Sequence, residues 1–172
     1  DTLRDAAAAA ARATAKKGGR IGIDVPGVGI DAATAGQVLA EGALLARYRY
    51  SVLKAEPKEV PLARLELRVA DADAAAVTAG ISVAEVTVRA ALVARDLANT
   101  PPGHLTATDI AEVAAELGAE YGFEVESYGL AQLIDMGCGG ILGVNAGSAE
   151  EPRLVVLTYT PDGDVTGHLG LV

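Results

Sequence analysis

Apolar and polar residues alternate between helix-like and strand-like patterns over the first eighty positions. Residues 1–17 are rich in Ala, with Arg and Lys, and favour a helix. Residues 20–25 and 62–69 alternate apolar and polar side chains, as half-buried strands do. Residues 31–48 repeat apolar side chains at a helical period. That predicted stripe consists of Val38, Leu39, Gly42, Leu45 and Ala46. The predicted order is α-β-α-β.

The next segment predicts a long helix and a domain boundary. Residues 70–80 are Ala-rich and end in Gly80, which indicates a short helix or a linker, and a helix is predicted over 82–99. Its expected buried stripe is Val83, Val86, Ala90, Val93 and Leu97. We place the boundary near Gly80. Pro101 and Pro102 end the helix, because proline donates no backbone hydrogen bond.

The second part again alternates helix and strand. Thr106 with Asp109 three residues later resembles a capping box, with Asp in place of the usual Glu or Gln. A helical stripe follows and ends at Gly122; its members are Ile110, Val113, Ala114, Leu117 and Tyr121. Strands are expected at 123–128, 153–160 and 168–172, and a short helix at 130–136. The natural architecture is an α/β sheet.

Charge and composition exclude several function classes. The formal net charge of −9 repels nucleic-acid backbones and anionic lipids, so nucleic-acid partners are not expected. A single cysteine excludes an internal disulfide and any zinc site built from several thiolates. No stretch reaches the roughly 18 uncharged apolar residues that a membrane span needs. Cytoplasm is the default location.

One motif points to a nucleotide. Residues 27–32 have the form G-x-G-x-x-A between a predicted strand and a predicted helix, where phosphates meet a helix amino terminus in dinucleotide-binding folds. However, Asp31 adds negative charge where the pyrophosphate would lie, and Glu56 lies in a loop-like run where an acidic strand end is expected. An ordinary turn explains the motif better.

The other candidate chemical groups lack partners in sequence. Cys138 would need a base or a positive field to act as a nucleophile, and the two histidines, His104 and His168, lie far from it along the chain. A small, buried, apolar Cys is the better interpretation. The acidic pairs show no further ligand at metal-binding spacing, so solvated surface is expected for them. These pairs are Asp71/Asp73, Glu150/Glu151 and Asp162/Asp164.

Three ordered segments resemble the cytosolic leucyl aminopeptidase family. The first, residues 43–50, ends in Tyr-Arg-Tyr and is followed by Lys54. The strongest, residues 94–106, is similar to the family's Arg-Asp-Leu-x-Asn-x-Pro-x-x-x-Leu-Thr segment at the entrance to the catalytic domain. The third covers residues 140–159, with a Gly-rich run, Glu-Pro-Arg and a strand.

The resemblance implies a partial α/β amino-terminal domain (1–80), followed by an interdomain helix and the beginning of a mixed-sheet α/β peptidase domain (81–172). It implies a cytoplasmic homo-hexamer that removes amino-terminal residues, preferably Leu, from peptides. Two divalent ions, zinc, manganese or magnesium, would activate a bridging water.

The family's metal-binding and catalytic residues match no position in this chain. We therefore expect no catalytic, cofactor-binding or metal-binding residue here, and we expect the 172 residues alone to be inactive. The alternative is a stand-alone, non-catalytic α/β module that binds a nucleotide or a protein.

Overall fold

The computed structural model describes residues 2–17, 19–25, 29–56 and 60–172. The chain divides into two compact units, Asp1–Asn99 and Thr100–Val172. Each unit combines helices with a two-stranded sheet in its described residues, one parallel and one antiparallel. The α/β fold class is thus confirmed.

The first unit is a strand–helix–strand arrangement with two further helices. Its elements in chain order are α1 (Thr2–Ala13), β1 (Arg20–Asp24), α2 (Ala32–Ala46), β2 (Arg64–Arg68), a short 3-10 turn (Asp71–Asp73) and α3 (Ala74–Asn99). Strands β1 and β2 pair in parallel, with Ile21 opposite Leu65 and Ile23 opposite Leu67. The predicted order of these elements is confirmed.

The core of this unit lies between the sheet and helices α1 and α2. Buried Ile21 packs with small helix residues, and Leu65 and Leu67 lie half-buried against the same cluster. The alternating charged residues of β2 face away, so the predicted half-buried strand is confirmed. The buried helix residues of this cluster are Ala7, Ala11, Leu39 and Ala43.

The predicted stripe of α2 is fully buried only at Leu39 and Gly42, and five further residues of this helix are buried because α1 and α3 both pack against it. Between the three helices lies the carboxylate of Glu41, which is only 7% exposed. Its Oε2 accepts from Arg4 Nη2 at 2.6 Å and Arg4 Nε at 3.1 Å. Its Oε1 accepts from Gln37 Nε2 at 2.9 Å and Thr87 Oγ1 at 2.8 Å. Each buried carboxylate oxygen thus has two donors, as burial requires.

Helix α3 corrects two predictions. It is one helix over Ala74–Asn99, so Gly80 neither ends a short helix nor lies in a linker. A Cβ atom on Gly80 would lie 1.9 Å from the Ala33 carbonyl oxygen of α2, so glycine permits the close approach of the two helices. The predicted domain boundary near Gly80 stays a prediction, although the compact units divide after Asn99.

The predicted buried stripe of α3 is also wrong for its first three residues, Val83, Val86 and Ala90, which are all exposed. The face against α2 consists of Val77, Gly80, Ala84 and Val88. Val83 and Val86 are 48% and 71% exposed, whereas Val93 and Leu97 are half-buried. Both faces of α3 carry apolar residues at helical spacing, and packing against α2 decides which face is buried.

Residues 71–99 have the length and composition of a possible membrane span, with a mean hydropathy of 1.5 in the best window. The sequence expectation counted uncharged stretches, and Glu85 and Arg89 interrupt this one. Helix α3 buries one face against α2, and 22% of that window is buried; a single helix of this length and composition is weak evidence for a membrane span.

The second unit follows its predicted local signals closely. Its elements are α4 (Ala107–Tyr121), β3 (Glu124–Tyr128), α5 (Leu130–Asp135), α6 (Gly139–Asn145) and β4 (Leu154–Thr158). The Thr106–Asp109 capping box is present, and Gly122 ends α4 with a φ of 75°. Strands β3 and β4 pair antiparallel. Of the predicted α4 stripe, Ile110 and Tyr121 are largely exposed, and the remaining members are half-buried.

Two further predictions about this unit are corrected. Residues 168–172 do not form a strand, because no other segment of the described chain pairs with them. Helix α6, in contrast, lies in a Gly-rich run that sequence analysis did not assign to a helix.

Candidate functional site: the Tyr48 cluster

A group of polar side chains joins the ends of helices α2 and α3. Tyr48 lies just beyond α2, where the backbone N–H of Tyr48 donates to the Leu45 carbonyl at 3.4 Å. Arg95, Asp96 and Asn99 lie in the last turn and a half of α3. Arg95 and Asn99 are four residues apart and therefore share one side of the helix. We call these four residues the Tyr48 cluster.

The Tyr48 hydroxyl is the centre of the cluster, because it both donates and accepts a hydrogen bond. It donates to Asp96 Oδ1 at 2.8 Å and accepts from Asn99 Nδ2 at 3.2 Å. The same Asn99 nitrogen donates to the Arg95 carbonyl at 2.7 Å, which holds the amide in place at the helix end. Two residues of α3 thus contact one phenol from the end of α2.

Arg95 adds a contact on the ring side of Tyr48. Its guanidinium carbon lies 5.5 Å from the ring centroid, within the range of a cation–π contact. Its Nη1 donates to the Leu45 carbonyl at 3.0 Å. That carbonyl belongs to the last turn of α2, where backbone acceptors lack partners within the helix. Arg95 therefore both caps the end of α2 and contacts the ring of Tyr48.

The electrostatics keep the phenol protonated. Partial burial, followed by the hydrogen bond to the Asp96 carboxylate, raises the pKa of Tyr48 above its ordinary value. A phenol with a raised pKa keeps its proton at neutral pH, so the Tyr48 hydroxyl remains a hydrogen-bond donor to Asp96. The cluster is therefore suited to fixing two helix ends.

Backbone hydrogen bonds hold Cys138 at the amino-terminal end of α6. The residue is half-buried and directly precedes α6. Its backbone N–H donates to the Leu133 carbonyl at 2.9 Å, and its carbonyl accepts from the Leu142 N–H at 3.1 Å. Burial is less complete than we expected from the sequence.

The histidines and acidic pairs are exposed. His104 lies in the turn after α3, where its backbone N–H donates to the Pro101 carbonyl at 2.8 Å, and His168 lies in the segment that forms no strand. Glu151 binds Arg153 Nη1 at 3.0 Å. Among the described residues, no three His, Cys, Asp or Glu side chains lie close enough to hold a metal ion. Our expectation that this chain contributes no metal ligand stays a prediction.

The G-x-G-x-x-A motif lies partly outside the described residues, which exclude Gly27 and Val28. In the described part, Asp31 caps α2 and its Oδ1 accepts from the Thr34 backbone N–H at 2.9 Å. Hydrogen bonds from Thr34 lower the pKa of Asp31, so this carboxylate stays charged. It takes the N–H that a bound phosphate would use.

Sequence analysis did not identify the Tyr48 cluster as a unit. It singled out residues 43–50 and 94–106 separately, as two segments of a family resemblance. Their contact joins residues 48 positions apart, and no local periodicity predicts such a pairing. The available signal was the occurrence of hydrogen-bonding side chains in both segments at predicted helix ends.

Comparison with known proteins places both segments in one family. The model of the cytosol aminopeptidase family, N-terminal domain, matches residues 1–57, and the model of the same family's catalytic domain matches residues 92–172. The chain is 39% identical over 142 residues to a "probable cytosol aminopeptidase" of Bacillus subtilis, covering 81% of this chain and 28% of that relative.

Solved structures agree in fold. The bottromycin maturation enzyme BotP, solved in complex with Mn, is 37% identical with a TM-score of 0.76, over 93% of this chain and 33% of that one. A variant of tomato leucine aminopeptidase is 21% identical with a TM-score of 0.81, over 95% of this chain and 34% of that one, and supports the fold alone. The chain thus spans about a third of the length of these proteins. Two family models matched in order, together over most of its length, show that this chain belongs to the cytosol aminopeptidase family.

Proposed function

We propose that these 172 residues are part of a cytoplasmic metallo-aminopeptidase that removes amino-terminal residues, preferably Leu, from peptides. The observation that carries the proposal is the ordered match to both domains of one aminopeptidase family. The names of relatives as cytosol aminopeptidases support the location.

We propose further that the parent enzyme uses two divalent ions, with manganese, zinc or magnesium as candidates. The similarity to BotP, solved with Mn, supports a divalent metal. The described residues do not fit such a site, because they contain no cluster of three or more ligand side chains. From the family resemblance, we propose that the metal ligands and the catalytic residues follow residue 172 in the parent enzyme. When bound, the ions would polarise the scissile carbonyl and lower the pKa of water.

The domain division and the assembly remain parts of this proposal. A boundary near residue 80 falls between the ranges that the two family models match. Assembly into a homo-hexamer follows from the resemblance alone. The net charge of −9 supports peptide substrates over nucleic acid as partners.

The test compares this 172-residue chain with a longer polypeptide that continues it to the full length of its relatives. Both are assayed with a leucyl chromogenic substrate and added Mn²⁺, before and after chelation. We expect hydrolysis by the longer polypeptide, its loss on chelation, and none by the chain alone.

Variants of the candidate groups complete the test. In the longer polypeptide, Cys138→Ser and His104→Ala should leave the rate unchanged, because we propose that the catalytic residues lie outside this chain. Leucine release by the 172-residue chain would contradict the placement of the catalytic residues. Inactivity of the longer polypeptide with every metal tried would contradict the proposed activity.

A further inference from the structure

The Tyr48 cluster joins the two ranges that the family models match. Tyr48 belongs to the range of the N-terminal domain model, 1–57, whereas Arg95, Asp96 and Asn99 belong to the range of the catalytic domain model, 92–172. All four nevertheless lie in one compact unit. The first residues of the catalytic range are therefore packed as part of the amino-terminal unit.

The position of the cluster at the end of α3 lets it influence the chain beyond that helix. Helix α3 is continuous for 26 residues and ends at Asn99, and Pro101 and Pro102 come shortly after it. Proline cannot extend the hydrogen-bonding pattern and restricts the residue before it, so α3 does not continue past this point. Helix termini fray unless side chains hold them. The hydrogen bonds of Tyr48 and Asn99 act on this turn.

We propose that Tyr48 is a positioning residue, whose hydroxyl holds the last turn of α3 and thereby the start of the catalytic part. It contacts no reacting group in the described chain and acts through Asp96 and Asn99. The effect on the helix end is independent of what the protein catalyses, whereas the effect on catalysis rests on the proposed function. The two parts are tested separately.

Hydrogen exchange of the 172-residue chain tests the effect on the helix end. Tyr48→Phe removes the hydroxyl and keeps the ring. We expect backbone amides of residues 96–99 to exchange at least about five-fold faster, the change that loss of a single hydrogen bond of ordinary net strength predicts for local opening, because the hydroxyl's contacts with both Asp96 and Asn99 are lost. Amides of residues 77–88, packed on α2, should not change. Tyr159→Phe, at a side chain that is 72% exposed, is the matched control and should change neither region.

A double-mutant cycle separates the contact from a general loss of stability. Asp96→Ala should also speed exchange, and the double variant should speed it by less than the product of the two single effects, since the Tyr48–Asp96 contact is already lost in each single variant. Asp96→Asn keeps an oxygen acceptor and should largely restore protection. Additive effects, or unchanged exchange in Tyr48→Phe, would overturn the role of the hydroxyl.

Kinetics of the longer polypeptide test the catalytic part. Misplacement of catalytic groups lowers kcat more than it weakens substrate binding. Tyr48→Phe should therefore lower kcat about three-fold or more with little change in KM. Asp96→Asn should behave nearly as the unaltered protein. A normal kcat in Tyr48→Phe, with exchange already accelerated, would overturn the catalytic consequence. An inactive unaltered polypeptide would instead refute the proposed function, and the exchange experiment would still decide the first part.

Discussion

Replacement of Gly80 by Ala tests the packing of α3 on α2. Helix propensity and the structure predict opposite signs for the resulting change in the free energy of unfolding. Inside a helix, Gly→Ala stabilises by about 1 kcal/mol through backbone entropy. The added Cβ, however, would lie 1.9 Å from the Ala33 carbonyl oxygen, 2.8 Å from its carbon and 2.9 Å from the Gln37 nitrogen. All three are backbone atoms of α2, so no side-chain rotation relieves the contact.

The magnitude depends on the displacement that this contact requires. Normal van der Waals separation is about 3.5 Å, so the two backbones must separate locally by about 1.5 Å. Overpacking of this kind typically costs about 1–3 kcal/mol, and we expect about 3 kcal/mol here because both sides of the contact are backbone. After the gain of about 1 kcal/mol from helix propensity, we expect a net destabilisation of about 2 kcal/mol. That corresponds to a fall in Tm of roughly 4–8 °C for a chain of this size.

Urea unfolding followed by circular dichroism measures the effect, and Gly143→Ala provides the matched control. Gly143 also lies within a helix, α6, but a Cβ there would meet nothing within 4 Å. Its replacement should stabilise by about 0.5–1 kcal/mol, the entropic effect alone. A neutral or stabilising Gly80→Ala, alongside the expected control, would show that the two helices do not approach so closely.

Three further substitutions test other contacts, each by urea unfolding. Glu41→Ala should destabilise by about 2 kcal/mol, the loss for a broken buried ion pair discounted for the partly exposed Arg4. Desolvation raises the pKa of Glu41, but its hydrogen bonds and the charge of Arg4 outweigh this and lower the pKa below its ordinary value. The stabilisation by Glu41 is thus fully present above the ordinary pKa of a glutamate and is lost as the pH falls through the lowered pKa, and Glu41→Ala should flatten this loss. Thr106→Ala should cost about 1 kcal/mol by removing the cap of α4, and an unchanged midpoint would refute the capping box. Gly122→Ala should cost about 1 kcal/mol through its φ of 75° alone, since nothing lies within 4 Å of the added Cβ.

Features that depend on a few neighbouring residues were predictable from the sequence. The capping box at Thr106 and the helix end at Gly122 each depend on contacts within about one helical turn, so the local sequence contains both partners. The alternation that predicts β2 works similarly, because the strand has one half-buried apolar face and one charged face. Binary patterns are informative where polarity differs sharply between the faces.

Helix α3 is a case in which such local patterns fail. Its buried face includes Gly80 and Ala84, whereas Val83 and Val86 on another face are larger and more apolar. A hydrophobicity criterion therefore selects the wrong face. Close helix packing favours small residues, and glycine inside such a contact has the same sequence signature as glycine at a helix end. Only the presence of α2 decides between these interpretations.

The distinction between local patterns and distant contacts also explains why two segments indicated the family although their physical role was not predicted. Residues 43–50 and 94–106 were informative as patterns of residue types, yet Tyr48 and Asp96 are partners only because α2 and α3 end side by side. A strand prediction at 168–172 failed for a related reason, since strand propensity without a pairing partner forms no sheet. If the longer polypeptide supplies that partner, residues 168–172 should pair there, and protection of their amides from exchange should appear only in the longer polypeptide. Protection in the 172-residue chain would mean that local propensity suffices for this strand, whereas in α3 the neighbouring helix decides which face is buried.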